Sequence, residues 1–148
     1  MAAIPIKVGC ARPYVYGQTA IGTISIPASA STSQWITASF TTIETPGSVT
    51  SFTLPNGLQY EIRDVYVASS QSVDGLIRFI KNGIKVLWQG DLNTLLVSNP
   101  SRPYAPIMVF FPYDILTIQF LPATSPSAAT TDTFYFSITT YNCTFQAG

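Results

Sequence analysis

Apolar and polar residues alternate along most of this chain with a period of two, the pattern of β-strands that bury one face. The clearest example is the segment 76–88, in which two apolar-rich runs flank Asn82 and Gly83. An Asn-Gly pair between such runs predicts a type I′ hairpin with a two-residue loop, because both turn positions require a positive φ. The sequence therefore predicts a central β-hairpin around which the other strands are arranged.

The two faces of this predicted hairpin differ in composition. A two-residue loop places Lys81 opposite Ile84 and Ile77 opposite Trp88, and alternation then assigns every other side chain to a face. One face is nearly all apolar and is predicted to meet the core: Ile77, Phe79, Ile84, Val86 and Trp88, with Lys81 at the tip. The other combines apolar and basic residues: Leu76, Arg78, Ile80, Lys85 and Leu87. A solvated face is more polar than this, so we predict that the second face is an assembly interface with other protein.

Shorter alternating runs predict further strands, and residues that favour turns separate them. The predicted strands span 14–18, 20–26, 34–43, 49–54, 59–68, 92–97, 107–111, 115–120 and 133–145. Within 59–68 the apolar residues change parity, which predicts a β-bulge at Arg63 and Asp64. The three prolines of 99–106 predict a loop or a crossover at a sheet edge, because proline lacks the N–H that a central strand donates.

The number and spacing of these strands predict an all-β fold, a sandwich of two antiparallel sheets. A jelly roll is the favoured architecture, since it packs eight strands into a chain of this length. An immunoglobulin-like sandwich is the alternative, but it usually has a core Trp between two strand cysteines, whereas Cys10 and Cys143 lie near the two ends of this chain. We expect residues 1–12 to form an N-terminal arm and 13–148 a single domain.

Composition supports the prediction of covered surfaces. Charged residues make up 9% of the chain, against about 25% in ordinary soluble proteins. The seven basic and seven acidic residues cancel, and none occurs between Pro13 and Ile43. Near-zero net charge favours association, and the absence of clustered Lys and Arg argues against nucleic acid as a partner. We therefore expect neighbouring protein to cover much of the surface.

No apolar run approaches the length of about 20 residues that a membrane-spanning helix needs. The first residues contain Lys7 and Arg12 and no apolar central region, so we read no cleavable signal peptide and expect synthesis in the cytosol. Termini often lie close together, so a disulfide between Cys10 and Cys143 is plausible, with two inert thiols as the alternative.

The chemistry of an enzyme is largely missing from this sequence. It has no His, and its two cysteines and seven carboxylates show no metal-ligand spacing, so we expect no cofactor, no metal and no enzymatic activity. A carboxylate pair for glycoside hydrolysis, for example Glu44 and Glu61, can be assembled only in three dimensions, and no spacing selects it. The eight Tyr and two Trp could stack on sugar rings, but such residues more often lie in cores or interfaces.

The segment from Tyr60 to Tyr141 resembles the single-jelly-roll minor capsid and decoration proteins of double-stranded DNA viruses of bacteria and archaea. The resemblance rests on the runs YEIRDVYVA at 60–68, GLIRFIKNGIKVLW at 75–88, NPSRP at 99–103, FFPYDILTIQF at 110–120 and TFYFSITTY at 133–141. The segment 60–141 that contains these runs covers just over half of the chain. The resemblance implies a structural role in a virion, oligomerisation (commonly as trimers) and no catalysis.

Together these observations predict a structural virion protein, a capsid or capsid-decoration subunit that is made in the host cytoplasm. Its expected partners are further copies of itself and other capsid subunits. Two alternatives stay open: a carbohydrate-binding β-sandwich, such as a lectin or receptor-binding module, and a subunit of an extracellular filament.

Overall fold

Ten β-strands and one short 3-10 helix make up residues 15–142, the part of the chain that the computed structural model describes. The strands are β1 (Val15–Ile26), β2 (Ile36–Thr37), β3 (Ser39–Thr41), β4 (Phe52–Thr53), β5 (Leu58–Tyr66), β6 (Gly75–Lys81), β7 (Lys85–Asp91), β8 (Met108–Phe110), β9 (Ile115–Pro122) and β10 (Thr130–Asn142). The 3-10 helix is Leu92–Leu95. The predicted all-β fold is confirmed.

The strands form two antiparallel sheets, as the sequence predicts. The first sheet has the order β3-β1-β10-β5-β8, and the second has the order β2-β9-β6-β7, with β4 also pairing with β9. Of the strands in 15–142 that are consecutive in the chain, only β6 and β7 pair with each other. Four further pairs are nested around this hairpin: β5 with β8, β4 with β9, β2 with β9, and β1 with β10. The pairs β1 with β3, β5 with β10 and β6 with β9 complete the two sheets.

Aromatic and aliphatic side chains from both sheets form a single core between them. Phe79 of β6 meets Phe134 and Phe136 of β10 edge to face, with ring centroids 6.5 and 5.4 Å apart. All three rings are fully buried, and burial of each such side chain is worth about 1.5–3 kcal/mol. Gly22 of β1 makes room for this cluster, because a Cβ at that position would lie 2.1 Å from the ring of Phe134.

The predicted strand at 34–43 is one extended segment that passes from the second sheet to the first. Its first part, β2, pairs with β9, and its second part, β3, pairs with β1. Ala38 lies between the two parts with no exposed surface and donates its N–H to the carbonyl of Ile118 at 2.9 Å. A small residue at this corner lets the segment leave one sheet and enter the other without a gap in the core.

The bulge predicted in β5 is confirmed. The register between β5 and β10 shifts between Ser137 and Ile138, which leaves Arg63 without a partner. Ile62 and Val65 on either side are therefore both fully buried, although they differ in parity.

The central hairpin forms with a different register from the one predicted. Asn82 and Gly83 have the expected positive φ values of 56° and 75°, but the ladder begins with Lys81 opposite Lys85, so Ile84 is an extra loop residue. A second shift between Phe79 and Ile80 makes Leu87 a bulge residue. The turn is bonded to β9, since the N–H of Asn82 donates to the carbonyl of Ile115 at 2.9 Å. The conformation of the hairpin loop therefore depends on a hydrogen bond to β9 as well as on its own sequence.

The strand predicted at 92–97 is wrong, because residues Leu92–Leu95 form the 3-10 helix. Leu92 and Leu95 are fully buried, and a spacing of three residues places both on one side of a 3-10 turn. Side chains hold this turn in place: the N–H of Asn93 donates to Asp74 at 3.0 Å, and its side-chain oxygen accepts from the N–H of Gln71 at 2.8 Å. The apolar residues that predicted a strand at 92–97 therefore include a pair spaced for a 3-10 helix.

The predicted arm at 1–12 and the pair Cys10 and Cys143 lie outside the described residues. They stay predictions.

Candidate assembly surface

β6 and β9 present alternate side chains to the core and to the opposite side of the second sheet. Ile77 and Phe79 of β6 and Ile118 of β9 belong to the core, so the residues between them point away from it. We call this side the outer surface of the second sheet. Strand register assigns to it Leu76, Arg78, Ile80, Val86, Gln89, Asp91, Thr117, Gln119 and Leu121. Three of the five residues predicted for the assembly interface, Leu76, Arg78 and Ile80, are on this side of the sheet, but Ile80 is only 5% exposed.

The other two predicted residues do not lie beside them. Leu87 packs against the core, and Lys85 pairs with Lys81 at the hairpin tip. The bulge at Leu87 explains both placements, because it brings Leu87 and Trp88 together against the core and pairs Val86 with Ile80. The predicted positions of Leu87 and Lys85 are therefore wrong. Val86, which the sequence assigned to the core, is 43% exposed on the outer surface instead.

Arg78 is held in a fixed orientation in the middle of the outer surface of the second sheet. Its guanidinium lies 3.7 Å from the centroid of the Trp35 ring. Its Nε and Nη2 donate to Oε1 of Gln119 at 3.0 and 2.6 Å. Stacking on Trp and bonding to a neighbour leave the planar guanidinium few other positions. Gln119 is neutral, and Arg78 forms no ion pair with any residue in 15–142. The positive charge is oriented and, within this range, not compensated.

A second uncompensated charge lies at the end of the same surface. Asp91 is opposite Leu76 in the ladder and exposed, and its carboxylate forms no ion pair with the residues described here. A depression of about 490 Å³ opens next to it, and its lining includes Leu76, Leu121 and Asp91. Asp74 also lines it, and the Oδ1 of Asp74 accepts hydrogen bonds from the N–H groups of Gly75 and Asn93. The surface thus combines an apolar centre with one cation and one anion on the strands, and a concave region at its end.

Charges on the outer surface of the first sheet are paired within the chain. Oε2 of Glu61 accepts hydrogen bonds from the Tyr141 hydroxyl at 2.6 Å and from Nη2 of Arg63 at 2.8 Å. The Tyr141 hydroxyl and the Glu61 carboxylate together raise the pKa of Arg63. Nη1 of Arg102 donates to both oxygens of Asp64, at 3.0 and 3.2 Å. These ion pairs join side chains of the same chain, so Glu61, Arg63, Asp64 and Arg102 are each compensated within residues 15–142.

Glu44 and Glu61, the pair considered for glycoside hydrolysis, lie on opposite sides of the first sheet. Glu44 accepts hydrogen bonds from the hydroxyls of Tyr16 and Tyr60 and from Nε2 of Gln18, the last at 2.6 Å. Burial, followed by the bond to Glu44, raises the pKa of Tyr60. Tyr60 belongs to the core side of β5, whereas Glu61 is the next residue and points outwards. The two carboxylates therefore share no cleft.

Asp132 is a carboxylate inside the sandwich. It has no exposed surface, and its Oδ1 accepts from the N–H of Val73 at 3.3 Å, whereas its Oδ2 has no hydrogen-bond partner in the described structure. Burial raises its pKa, the charge of Asp74 raises it further, and hydrogen bonds from the backbone of Val73 and Ser72 oppose the change. Within residues 15–142, no group of three or more His, Cys, Asp or Glu side chains is placed to hold a metal ion.

The turn at 111–114 projects an aromatic side chain from the end of the sandwich. Tyr113 is 66% exposed and has a φ of 73°. It follows Pro112 in a turn closed by the N–H of Asp114 on the carbonyl of Phe111 at 3.0 Å. This position normally favours Gly, and a bulky residue there costs on the order of 1–3 kcal/mol. The N–H of Tyr113 donates to the carbonyl of Leu54 at 2.7 Å, which helps to hold the strained turn.

Sequence reasoning identified the outer surface of the second sheet but missed Trp35, Val86 and Asp91. The parity of Trp35 was visible, but its contact with Arg78 joins residues that are distant in the chain. No helix in the described part of the chain is long and apolar enough to cross a bilayer. Neither protein-family models nor curated protein sequences give a match to the chain. Its function is therefore inferred from the geometry described above.

Proposed function

We propose that this protein is a structural subunit that assembles through protein–protein contacts, and that the assembly is a virion in which it serves as a capsid or decoration subunit. The outer surface of the second sheet carries this proposal. It presents Leu76, Val86 and Leu121 around an Arg whose orientation is fixed but whose charge is not compensated within residues 15–142. Apolar centres with a few oriented polar groups are typical of interfaces. Low overall charge is consistent with surfaces that neighbours cover.

The virion assignment draws support from the order of the strands, which we infer to be that of a jelly roll. Four nested pairs with a single hairpin at the centre describe a long two-stranded ribbon folded over on itself into two sheets. An immunoglobulin-like sandwich instead places several consecutive strands side by side. Jelly rolls are common in viral capsids, and the resemblance of 60–141 to minor capsid and decoration proteins favours the same assignment. Mass spectrometry of purified virus particles tests it, since the chain should be recovered at a fixed ratio to the major capsid protein.

The assembly surface is tested with two substitutions that change side chains of almost equal exposure. Val86, on the outer surface of the second sheet, is 43% exposed, and Ile21, on the outer surface of the first, is 42% exposed. We expect Val86→Glu to remain folded and to lose self-association, because a carboxylate in an apolar interface is desolvated without a partner. Ile21→Glu should assemble as the parent does. Sedimentation and thermal melting of the three proteins provide the measurement, and equal assembly of both variants would contradict the proposal.

Carbohydrate binding is the second candidate, and the turn at 111–114 is the observation in its favour. Tyr113 has a strained backbone conformation and an exposed ring at the end of the sandwich, and Phe111, two residues before it, is also partly exposed. Backbone strain of this kind often marks a binding site. Under this hypothesis Tyr113→Ala abolishes retention on immobilised glycans while assembly is unchanged. If the parent protein is not retained on any glycan surface, this candidate is excluded.

A further inference from the structure

We propose that the outer surface of the second sheet forms a two-fold contact with a second copy of this chain, in which Arg78 of each copy pairs with Asp91 of the other. This inference rests on the proposed assembly function and specifies its partner and its geometry.

The charge distribution on the surface identifies the partner. Of the charged residues assigned to this surface, one is the cation Arg78 and one is the anion Asp91, and neither has an ion-pair partner within 15–142. A surface that carries one charge of each sign is complementary to itself. An isologous contact uses the same patch on both copies, so each charge can meet the opposite charge of the other copy. An acidic partner alone would leave Asp91 unpaired, and a basic one would leave Arg78 unpaired.

Strand register places Arg78 and Asp91 close enough together for a two-fold rotation to bring each of them opposite the other residue of the second copy. Arg78 lies opposite Gln89 in the ladder, and Asp91 lies opposite Leu76, so Arg78 and Asp91 are diagonal neighbours on the same side of the sheet. A two-fold axis in the plane of the contact that crosses midway between them brings each Arg78 over the Asp91 of the other copy. Leu76 lies next to this axis, where it faces Leu76 of the second copy.

Arg78 has the donors that this pairing needs. Its Nε and Nη2 are bonded to Gln119, but its Nη1 forms no hydrogen bond with the residues described. The stack on Trp35 keeps the guanidinium in place before the second copy arrives. Pre-organised Arg–carboxylate pairs lose little conformational freedom on binding. The pair would therefore fix the register of the contact, while Leu76, Val86 and Leu121 exclude water around it.

Charge reversal followed by mixing tests the pairing. Arg78→Glu places two like-charged pairs in the contact, and Asp91→Arg does the same with the opposite sign, so each variant alone should associate at least about 100-fold more weakly than the parent. An equimolar mixture of the two variants restores both attractive pairs and should form a heterodimer. Lys85→Glu makes the same charge change as Arg78→Glu at an exposed residue off this surface and should associate as the parent does.

Native mass spectrometry resolves the species, and melting temperatures confirm that each variant is folded. If Arg78→Glu melts more than about 5 °C below the parent, Arg78→Gln replaces it. Its mixture with Asp91→Arg should then associate more tightly than either variant alone, because one attractive pair is present.

Each result distinguishes the pairing from the proposed function. Heterodimers that form only in the mixture support the pairing. Charge variants that assemble normally, while Val86→Glu does not, overturn the pairing and leave the assembly surface intact. A parent that assembles only as a three-fold ring overturns the two-fold contact. A parent that stays monomeric at every concentration and binds no second copy overturns both the pairing and self-assembly through this surface.

Discussion

The outer surfaces of the two sheets differ in whether their charged side chains form ion pairs within the chain. On the first sheet, Glu61 is bonded to Arg63 and Tyr141, and Asp64 is bonded to Arg102. On the second, Arg78 is stacked on Trp35 and bonded to the neutral Gln119 without any carboxylate within residues 15–142. Charges that are paired within a subunit contribute little binding free energy to a contact with a neighbour, because the neighbour would first have to break those pairs. An oriented charge without such a pair can contribute more.

This difference shows why low charge alone did not locate the interface. Both sheets contribute few charges, and both outer surfaces include apolar residues such as Ile21 and Val86. What separates the surfaces is whether the few charged groups are compensated in the folded monomer. That property depends on contacts between strands and is not visible in composition.

The largest effect is expected at the boundary between the core side and the outer side of β7. Leu87→Glu should destabilise the fold by about 2 kcal/mol or more, because Leu87 is partly buried against the core and a carboxylate there loses part of its hydration. Leu76→Glu on the outer surface should change stability by about 1 kcal/mol or less and should abolish self-association. Chemical denaturation and sedimentation of both variants give the comparison. A stable Leu87→Glu protein would show that the bulge is placed wrongly.

An intermediate effect is expected from the paired charges of the first sheet. Glu61→Ala removes one hydrogen-bond acceptor of the buried Tyr141 hydroxyl and the ion-pair partner of Arg63, which should cost about 1–3 kcal/mol. Most of this cost comes from Tyr141, since Arg63 is partly exposed and its ion pair is weak in water. Self-association should be unchanged. Loss of assembly in this variant, measured by native mass spectrometry, would mean that the first sheet also contacts neighbours.

A smaller, pH-dependent effect on stability is expected from the buried carboxyl group of Asp132, whose Oδ2 has no hydrogen-bond partner in the described structure. Burial raises the pKa of Asp132 above its ordinary value of 3.8. The protonated form therefore stabilises the fold fully below that value, and this contribution is lost as the pH rises through the folded-state pKa. Asp132→Asn should remain neutral and stabilise the protein by about 1 kcal/mol at pH 7. The difference from the parent should shrink towards zero in acid, and a difference that is independent of pH would contradict the assignment.

Features of the fold that depend on the local alternation of apolar and polar residues were predictable from the sequence. The bulge at Arg63 and the positive φ at Asn82 and Gly83 are confirmed, because each depends on residues close together in the chain. The two-sheet architecture is confirmed as well, but its strand pairs join distant residues, and only the number and spacing of the strands favoured it. The sequence had no means of predicting the bulge at Leu87, since Leu87 and Trp88 are adjacent apolar residues that fit either face. Leu92 and Leu95 were assigned to a strand because, over only four residues, the pattern of apolar positions does not distinguish a 3-10 turn from a strand.

The candidate surface was only partly predictable for the same reason. Leu76, Arg78 and Ile80 follow one another on β6 at a spacing of two, so their common face was readable. Lys85 and Leu87 were assigned through the turn, and a shift of one residue in the turn moved both. The contact of Trp35 with Arg78 and the pairing of Arg78 with Gln119 depend on strand neighbours distant in the chain. The most informative contacts were therefore those that sequence periodicity does not encode.

Hydroxyl-radical footprinting of the unmodified protein tests the central claim most directly, because it compares both outer surfaces in one sample. The protein is labelled at a dilution at which it is monomeric and again at a concentration at which it assembles, and oxidation is quantified residue by residue. We expect oxidation of Trp35, Leu76 and Val86 to fall on assembly, while that of Ile21 and Tyr135 on the first sheet stays constant. Equal protection of both surfaces, or protection of the first sheet alone, would contradict the assignment of the outer surface of the second sheet as the assembly surface.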